Sequence, residues 1–221
     1  IKTKKGKYGS TVWMLKNGIR VVVLPTTDTP YQIVMSGQAS GGLSMIPTED
    51  YYSVSMLAQV VSASGVGDFT AEQLRKVLGS KVVNIQPTIN RFSTDINGSA
   101  AKGDVETMLQ LTYLYFTRPN FDRGRLDMVI EANRKNLENS VNSPDFVMTQ
   151  MVNKITYGDQ QRTRIPDEQI LAGIDCGKIS SWYRNLFTDA AGNYTFYFVG
   201  DIDMETFKPL VEKYIGGLPA G

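Results

Sequence analysis

The sequence contains no histidine, a single cysteine and no long apolar segment. Histidine is the commonest zinc ligand and the commonest general base near neutral pH. Its absence excludes a Ser-His-Asp or Cys-His catalytic site and any histidine-containing zinc site within these 221 residues. Any catalytic site within this chain would have to use carboxylate, lysine or tyrosine side chains.

The lone cysteine, Cys176, excludes a disulfide within the chain and leaves the cellular compartment undetermined. We interpret it as a small, buried or half-buried thiol. No apolar run approaches the roughly 20 residues that a membrane-spanning helix needs, so no transmembrane segment is predicted. The chain begins at Ile1 with a basic, polar stretch, so we predict no signal peptide and expect a processed protein or a piece of a longer chain.

The composition is that of an ordinary globular protein, with 42% apolar and 20% charged residues. The net charge of +1 gives no strong field that would attract nucleic acid or an anionic membrane. A chain of this length has ample material for a hydrophobic core. Neither nucleic acid nor a membrane surface is therefore expected as a partner.

Strands are predicted near both ends and in the middle of the chain. Residues 12–15 and 19–24 are rich in β-branched side chains, and Asn17-Gly18 between them is typical of a hairpin turn. Further strands are predicted at 31–37, twice between 82 and 96, and at 193–199, the last of them buried. The glycine- and serine-rich stretch 37–48 is expected to be a loop.

Helices are predicted from apolar residues at helical spacing and from capping residues. Thr70 with Gln73 three positions later matches a capping box, and Pro144 is placed just inside a helix start. The predicted helices cover residues 50–64, 70–78, 104–116, 122–141, 143–157, 178–187 and 204–214. This order predicts an α+β fold, a mainly antiparallel sheet with helices packed on one face. With no repeat or linker, residues 1–221 are interpreted as one domain.

Three short segments, in the same order along the chain, resemble the insulinase/pitrilysin-type (M16) metallopeptidase family. Leu-Lys-Asn-Gly-Ile-Arg-Val-Val-Val at 15–23 is similar to the family's first hairpin. Arg-Pro-Asn-Phe at 118–121 is followed by a long helix, as in the family, and Val-Gly-Asp-Ile at 199–202 resembles the closing strand and turn. The resemblance implies an M16/LuxS-metallohydrolase-like α/β domain.

Active M16 members carry His-x-x-Glu-His on a helix, where the two histidines bind zinc and the glutamate activates the zinc-bound water. Alignment on Gly65 and on residues 70–72 places this motif at Met56, Gln59 and Val60. Gln59 cannot take a proton from water, and Val60 cannot bind a metal. The resemblance therefore implies a degenerate motif, with no catalytic residue and no metal ligand in this chain.

In active relatives a glutamate on the long helix supplies the third zinc ligand. Glu131 and Glu138 reproduce the family's Glu-x6-Glu spacing, and Glu138 falls where that ligand is expected. Because one carboxylate does not hold zinc, we interpret them as a vestigial acidic helix in solvent, with Glu131 paired to Lys135. An enzyme that uses this carboxylate pair for unrelated chemistry is an alternative.

Three other segments have a possible functional reading. Residues 82–96 correspond to the region where active relatives pair a sheet edge with extended peptide, although Pro87 removes one donor. The stretch 36–42 lacks the lysine of a phosphate-binding loop and is interpreted as a flexible turn. Asp201 and Asp203 are interpreted as helix-capping residues rather than as ligands.

The resemblance implies that this chain is the non-catalytic, degenerate half of a peptide-enclosing clamshell. Its partner would be a catalytic M16 domain, in cis or in trans, and zinc is expected in that partner and not in this chain. The parent protein would then be a zinc metalloendopeptidase. Alternatives are a structural subunit of an M16-like assembly without peptidase activity and a stand-alone peptide-binding module. The resemblance alone points to a bacterial periplasm or cell envelope.

Overall fold

Seven strands form one sheet in the order β1-β2-β3-β7-β4-β6-β5 in the computed structural model, which describes residues 1–220. Only β3 and β7 run parallel, and the other neighbouring pairs are antiparallel. The strands are β1 Lys2–Lys5, β2 Thr11–Met14, β3 Arg20–Pro25, β4 Gln32–Ser40, β5 Val83–Ile89, β6 Ser93–Ala101 and β7 Thr195–Gly200.

Most of the remaining chain is helical. None of the helices between residues 1 and 220 is long and apolar enough to span a membrane. The helices are α1 Tyr51–Ser55, α2 Leu57–Ser64, α3 Ala71–Val77, α4 Val105–Thr117, α5 Arg123–Ser140, α6 Pro144–Tyr157, α7 Glu168–Ala172, α8 Cys176–Tyr183 and α9 Met204–Tyr214.

The helices pack against one face of the sheet, as the alternation of burial along the central strands shows. In β4, Ile33 and Met35 are buried, whereas Val34 between them is 45% exposed. In β7, Phe196 and Phe198 are fully buried, whereas Tyr197 is half exposed. The predicted α+β class, a mainly antiparallel sheet covered by helices on one face, is confirmed. Strand β7, predicted to be buried, is buried on one face only.

The core under the sheet is centred on aromatic side chains carried by α4, β7 and the segment after α8. Phe116 is fully buried, and its ring centroid lies 5.0 Å from that of Tyr194 and 6.0 Å from that of Phe196. Tyr183 and Phe187 stack with their centroids 4.4 Å apart. Rings at these separations add packing energy to the apolar area that they remove from water.

Several helix starts lie where the capping residues predicted them. The Oγ1 atom of Thr70 accepts from the Gln73 N–H and the Gln73 Oε1 atom accepts from the Thr70 N–H, which completes the capping box before α3. The Ser143 side chain caps α6, which begins with Pro144. The Asp203 side chain caps α9, so its capping role is confirmed. The same prediction was wrong for Asp201, whose carboxylate pairs with Lys102 and accepts from the Tyr31 N–H.

The loop predicted at residues 37–48 was wrong for its first four positions. Residues 37–40 continue β4, which pairs with β6 over nine residues from Gln32 to Ser40. Gly37 allows close packing here, since a Cβ atom on it would lie 2.7 Å from the Phe196 ring and 2.8 Å from Ile96. Residues 41–48, the rest of the predicted loop, contain only a short 3-10 turn, Gly42–Met45. Strand β1 was not predicted, because its residues are mostly lysines.

Candidate functional site

The three residues predicted to occupy the degenerate motif lie on α2 and on the junction before it. Met56 separates α1 from α2, and its carbonyl accepts from the Val60 N–H at 3.1 Å. The two residues are therefore one helical turn apart, the spacing that two metal ligands on a helix would need. Met56 is 6% exposed and Val60 is fully buried, and both belong to the hydrophobic core.

Gln59, on the same helix, is exposed and faces α5. Its Oε1 atom accepts from the Asn133 Nδ2 atom at 3.3 Å, and the same Nδ2 atom donates to the Val129 carbonyl at 2.8 Å. The structure thus brings Gln59 together with a neutral amide, and not with Glu131 or Glu138. Two neutral amides in contact supply no general base for water.

Glu131 belongs to a surface ion-pair network that joins α5 to α7. Its Oε2 atom lies 2.6 Å from Arg134, and the predicted pairing with Lys135 was wrong. Arg134 also donates to both carboxylate oxygens of Glu168, at 2.7 and 2.9 Å, and this lowers the pKa of Glu168. Glu138 is exposed on the same helix.

The groups at the motif do not fit a zinc ion. Met56 offers a buried thioether, Gln59 an amide that is already hydrogen bonded, and Val60 only methyl groups. Zinc in proteins takes thiolate, imidazole or carboxylate ligands, three or four at a time. Among residues 1–220, no three Cys, Asp or Glu side chains are close enough together to hold a metal ion.

The end of the motif helix is joined to the start of α5. Ser64 is buried. Its Oγ atom donates to the Val60 carbonyl at 2.7 Å and accepts from the Asp122 N–H at 3.1 Å. Gly65 then stops α2 with a φ of +83°, where a Cβ atom would lie 2.2 Å from the Phe69 carbonyl oxygen. A side chain at that position would force the backbone to move.

The start of the motif segment is held by a carboxylate with two donors. Lys178 Nζ lies 2.6 Å from one oxygen of Asp50, and Trp182 Nε1 donates to the other at 2.8 Å. These two hydrogen bonds hold the pKa of Asp50 below its ordinary value. The contact joins α1 to α8.

We expect Asp50→Asn to lower the free energy of unfolding at neutral pH by about 1 kcal/mol, the scale of a partly exposed charge-assisted hydrogen bond. The pKa of Asp50 is lower in the folded than in the unfolded protein, so its contribution is complete above about pH 4. It is lost as the pH falls toward the folded value. Urea unfolding of both proteins at several pH values measures this, with exposed Asp28→Asn as the control. A difference that persists unchanged at about pH 2 would contradict the assignment.

Strand β5 is the last strand of the sheet, so one of its edges is unpaired within the described sheet. The Asn90 N–H donates to the Ser93 carbonyl at 2.8 Å, which marks a hydrogen-bonded pair beyond the end of β5. Bonded and non-bonded pairs alternate in an antiparallel ladder, so the backbone of Pro87, three residues earlier, points outward. The free edge therefore lacks one N–H donor in its middle.

A cleft beside α1 contains residues that the sequence did not single out as functional. It is lined by Arg91 and Phe92 from the turn between β5 and β6, by Tyr51 from α1, by Tyr157 from the end of α6, and by Arg162. The adjacent Arg91-Phe92 pair at a hairpin turn was the one visible signal in the sequence. Arg162 lies about 110 residues from Tyr51, so only the fold brings them together.

No protein-family model matches the chain. Two curated relatives are similar over almost all of it. The probable zinc protease PqqL of Haemophilus influenzae is 21% identical over 206 residues, covering 92% of this chain and 22% of the relative. The zinc protease PQQL-like of Arabidopsis thaliana is 25% identical over 214 residues, covering 96% of this chain and 20% of the relative.

Two solved structures share the fold of this chain. The periplasmic protease PqqL from Escherichia coli superposes with a TM-score of 0.86 at 19% identity, covering 99% of this chain and 24% of that one. A peptidase M16 inactive domain from Pseudomonas fluorescens superposes with a TM-score of 0.71 at 16% identity, covering 96% of this chain and 51% of that one. The chain has the M16 fold.

The resemblance to the M16 family is confirmed by these matches. The chain spans about a fifth to a quarter of the PqqL-type relatives, from 20% to 24% of their length. The predicted motif residues lie on or just before α2, and the predicted long helix with Glu131 and Glu138 is α5. The contact between them is made by Gln59 and Asn133 rather than by acidic side chains.

Proposed function

We propose that this chain is a non-catalytic M16 domain, the degenerate half of a clamshell that encloses a peptide. The observation that carries the proposal is the motif itself. On the alignment to Gly65 and residues 70–72, Met56 and Val60 would take the two histidine positions and Gln59 that of the glutamate. Met56 and Val60 are buried in the core, and the chain has no histidine. The chain can then contribute shape and contacts to the peptide chamber, but no zinc and no activated water.

The proposal places zinc and the hydrolytic step in a catalytic M16 domain, in cis or in trans. The curated relatives, both described as zinc proteases, and their greater length support a multi-domain parent protein. This chain would then be a single M16-like domain of that protein. The parent protein would be a zinc metalloendopeptidase.

The unpaired edge of β5 supports a role in holding peptide backbone. An extended peptide can add to a sheet edge through main-chain hydrogen bonds, with affinity that depends little on its side chains. Ile85 and Ile89 lie on either side of Pro87 and have outward-pointing donors by the same alternation. Contact along this edge would be interrupted at Pro87.

We expect Gln59→Ala in the intact protein to leave the rate of peptide cleavage and the zinc content unchanged, within about twofold. The variant removes only an amide contact to Asn133 on the surface. Peptidase assays with a chelator control and metal analysis of both proteins measure this. A loss of about 100-fold or more would mean that Gln59 takes part in the chemistry, and the proposal would fail.

The alternatives predict different results in the same assays. An intact protein that neither binds zinc nor cleaves peptides favours the structural subunit of an M16-like assembly. A protein that binds unfolded peptides without any catalytic domain favours the stand-alone peptide-binding module. Zinc retained by this chain alone, together with cleavage that a chelator abolishes, would contradict all three.

A further inference from the structure

The cleft between α1, the end of α6 and the turn between β5 and β6 gathers positive charge. It has a volume of about 470 Å³, and its two charged lining residues are Arg91 and Arg162. No aspartate or glutamate lines it. The chain as a whole has a net charge of only +1, so this local excess of positive charge is not a property of the general surface.

Arg162 is held in place without a carboxylate. Its Nε atom donates to the Thr48 Oγ1 atom at 3.1 Å, and one Nη atom donates to the Ile46 carbonyl. Its guanidinium carbon lies 5.2 Å from the ring centroid of Tyr51, a cation–π contact. The orientation of the charge is thus set before any ligand arrives, which lowers the entropy cost of binding.

Arg91 faces the same cleft from a well-anchored turn. Its carbonyl accepts from the Ser44 N–H, and the Phe92 carbonyl accepts from the Gly41 N–H, both at 2.8 Å. The Arg91 side chain is exposed, and its guanidinium carbon lies 5.4 Å from the Phe92 ring centroid. The backbone position of Arg91 is therefore fixed relative to the rest of the cleft.

Two acidic side chains near the cleft are paired with cations outside it. Asp50 pairs with Lys178 at 2.6 Å, and Asp159 pairs with Arg164 at 2.8 Å. Asp95 is buried beneath the turn and does not line the cleft; its Oδ2 atom accepts from Asn90 and Ser93, whereas its Oδ1 atom has no hydrogen-bond partner. The two guanidinium groups therefore have no carboxylate partner in the cleft.

Two aromatic rings at the cleft are exposed to solvent. Phe92 is 67% exposed and Tyr157 is 50% exposed. Arginine and aromatic residues are enriched at the centres of binding interfaces, where rings cover a ligand chain and guanidinium groups pair with its carboxylates. An anionic segment of polypeptide matches both features of the cleft.

We propose that this cleft binds a carboxylate of a peptide, placed between Arg91 and Arg162 with the peptide chain against Phe92 and Tyr157. The proposal deepens the function proposed above and rests on it for the peptide nature of the ligand. The carboxylate comes from an aspartate or glutamate side chain, and comparison of a free with an amidated C-terminus tests whether the terminal carboxylate binds instead. The substrate class would be acidic peptides.

The test is fluorescence anisotropy with the intact protein and labelled peptides, in the presence of a chelator that prevents cleavage. One peptide contains glutamates, a second replaces them with glutamines, and each is made with a free or an amidated C-terminus. We expect Arg91→Gln to weaken binding of the preferred acidic peptide about tenfold, the effect of one charge-assisted hydrogen bond. Binding of the uncharged, amidated peptide should change by less than about twofold.

The matched control is Arg123→Gln, which removes the same charge at an exposed position outside the cleft and should change neither affinity. Thermal unfolding of each variant verifies that it is folded. Equal binding of all four peptides by the wild-type protein would refute the proposed carboxylate site. An unchanged affinity of the Arg91→Gln variant for the acidic peptide would refute it as well. Such a result leaves the Gln59→Ala test untouched, so the two proposals fail separately.

Discussion

Phe116→Ala is expected to lower the free energy of unfolding by about 3–5 kcal/mol, the range for removing a large buried ring. Phe116 is fully buried at the end of α4, where its ring meets those of Phe187, Tyr194 and Phe196. The cavity left by alanine lies among aromatic rings, whose rigid shapes limit how far the surrounding core can collapse. Chemical denaturation followed by circular dichroism measures the change.

Phe116→Leu is the matched control, because it retains an apolar side chain and most of the volume. We expect it to cost about half as much as the alanine variant or less. A loss below about 1 kcal/mol for Phe116→Ala would mean that the ring is not part of the packed core. The prediction concerns the fold alone and does not depend on either functional proposal.

Val60→His is expected to lower the free energy of unfolding by about 2–4 kcal/mol, because it places a polar ring in an apolar position. Val60 is fully buried and belongs to the core. The imidazole in that environment should have a depressed pKa, so the folded state binds fewer protons than the unfolded state. The destabilisation should therefore grow as the pH falls below about 6.5.

Gln59→His is the matched control for Val60→His, since it introduces the same side chain at the neighbouring exposed position. Its effect on stability should stay within about 0.5 kcal/mol. Equal stability of the two variants would indicate that position 60 faces an open chamber, as a zinc ligand would, and would remove the main observation behind a degenerate motif. Urea titrations of both variants over a range of pH values provide the comparison.

The sequence predicted the elements whose signals are local. The capping box of Thr70 and Gln73, Pro144 at a helix start and the Asn17-Gly18 turn each act within a few residues, and each appears in the structure. Gly37 misled the prediction, since glycine in a sequence usually marks a turn. Its function here is close packing against Phe196, which lies more than 150 residues away and is visible only in the folded chain.

The site was predictable in its chemistry but not in its contacts. The missing histidines can be read directly from the sequence. The partner of Gln59 cannot, because it depends on the rotation of α5. Asn133 lies two residues after Glu131, about 200° around a helix with 3.6 residues per turn, so the side that meets Gln59 is nearly opposite that glutamate. The vestigial role assigned to Glu131 and Glu138 remains a prediction.

The missing backbone N–H at Pro87 also affects how strands of other chains can pair with this protein. A long strand from a second molecule, laid along β5, would leave one carbonyl oxygen unpaired opposite the proline ring, at a cost of about 1–3 kcal/mol if the junction is dry. Continuous edge-to-edge pairing of strands from different molecules is therefore disfavoured along β5. Short extended segments that stop before the ring, or begin after it, avoid that penalty.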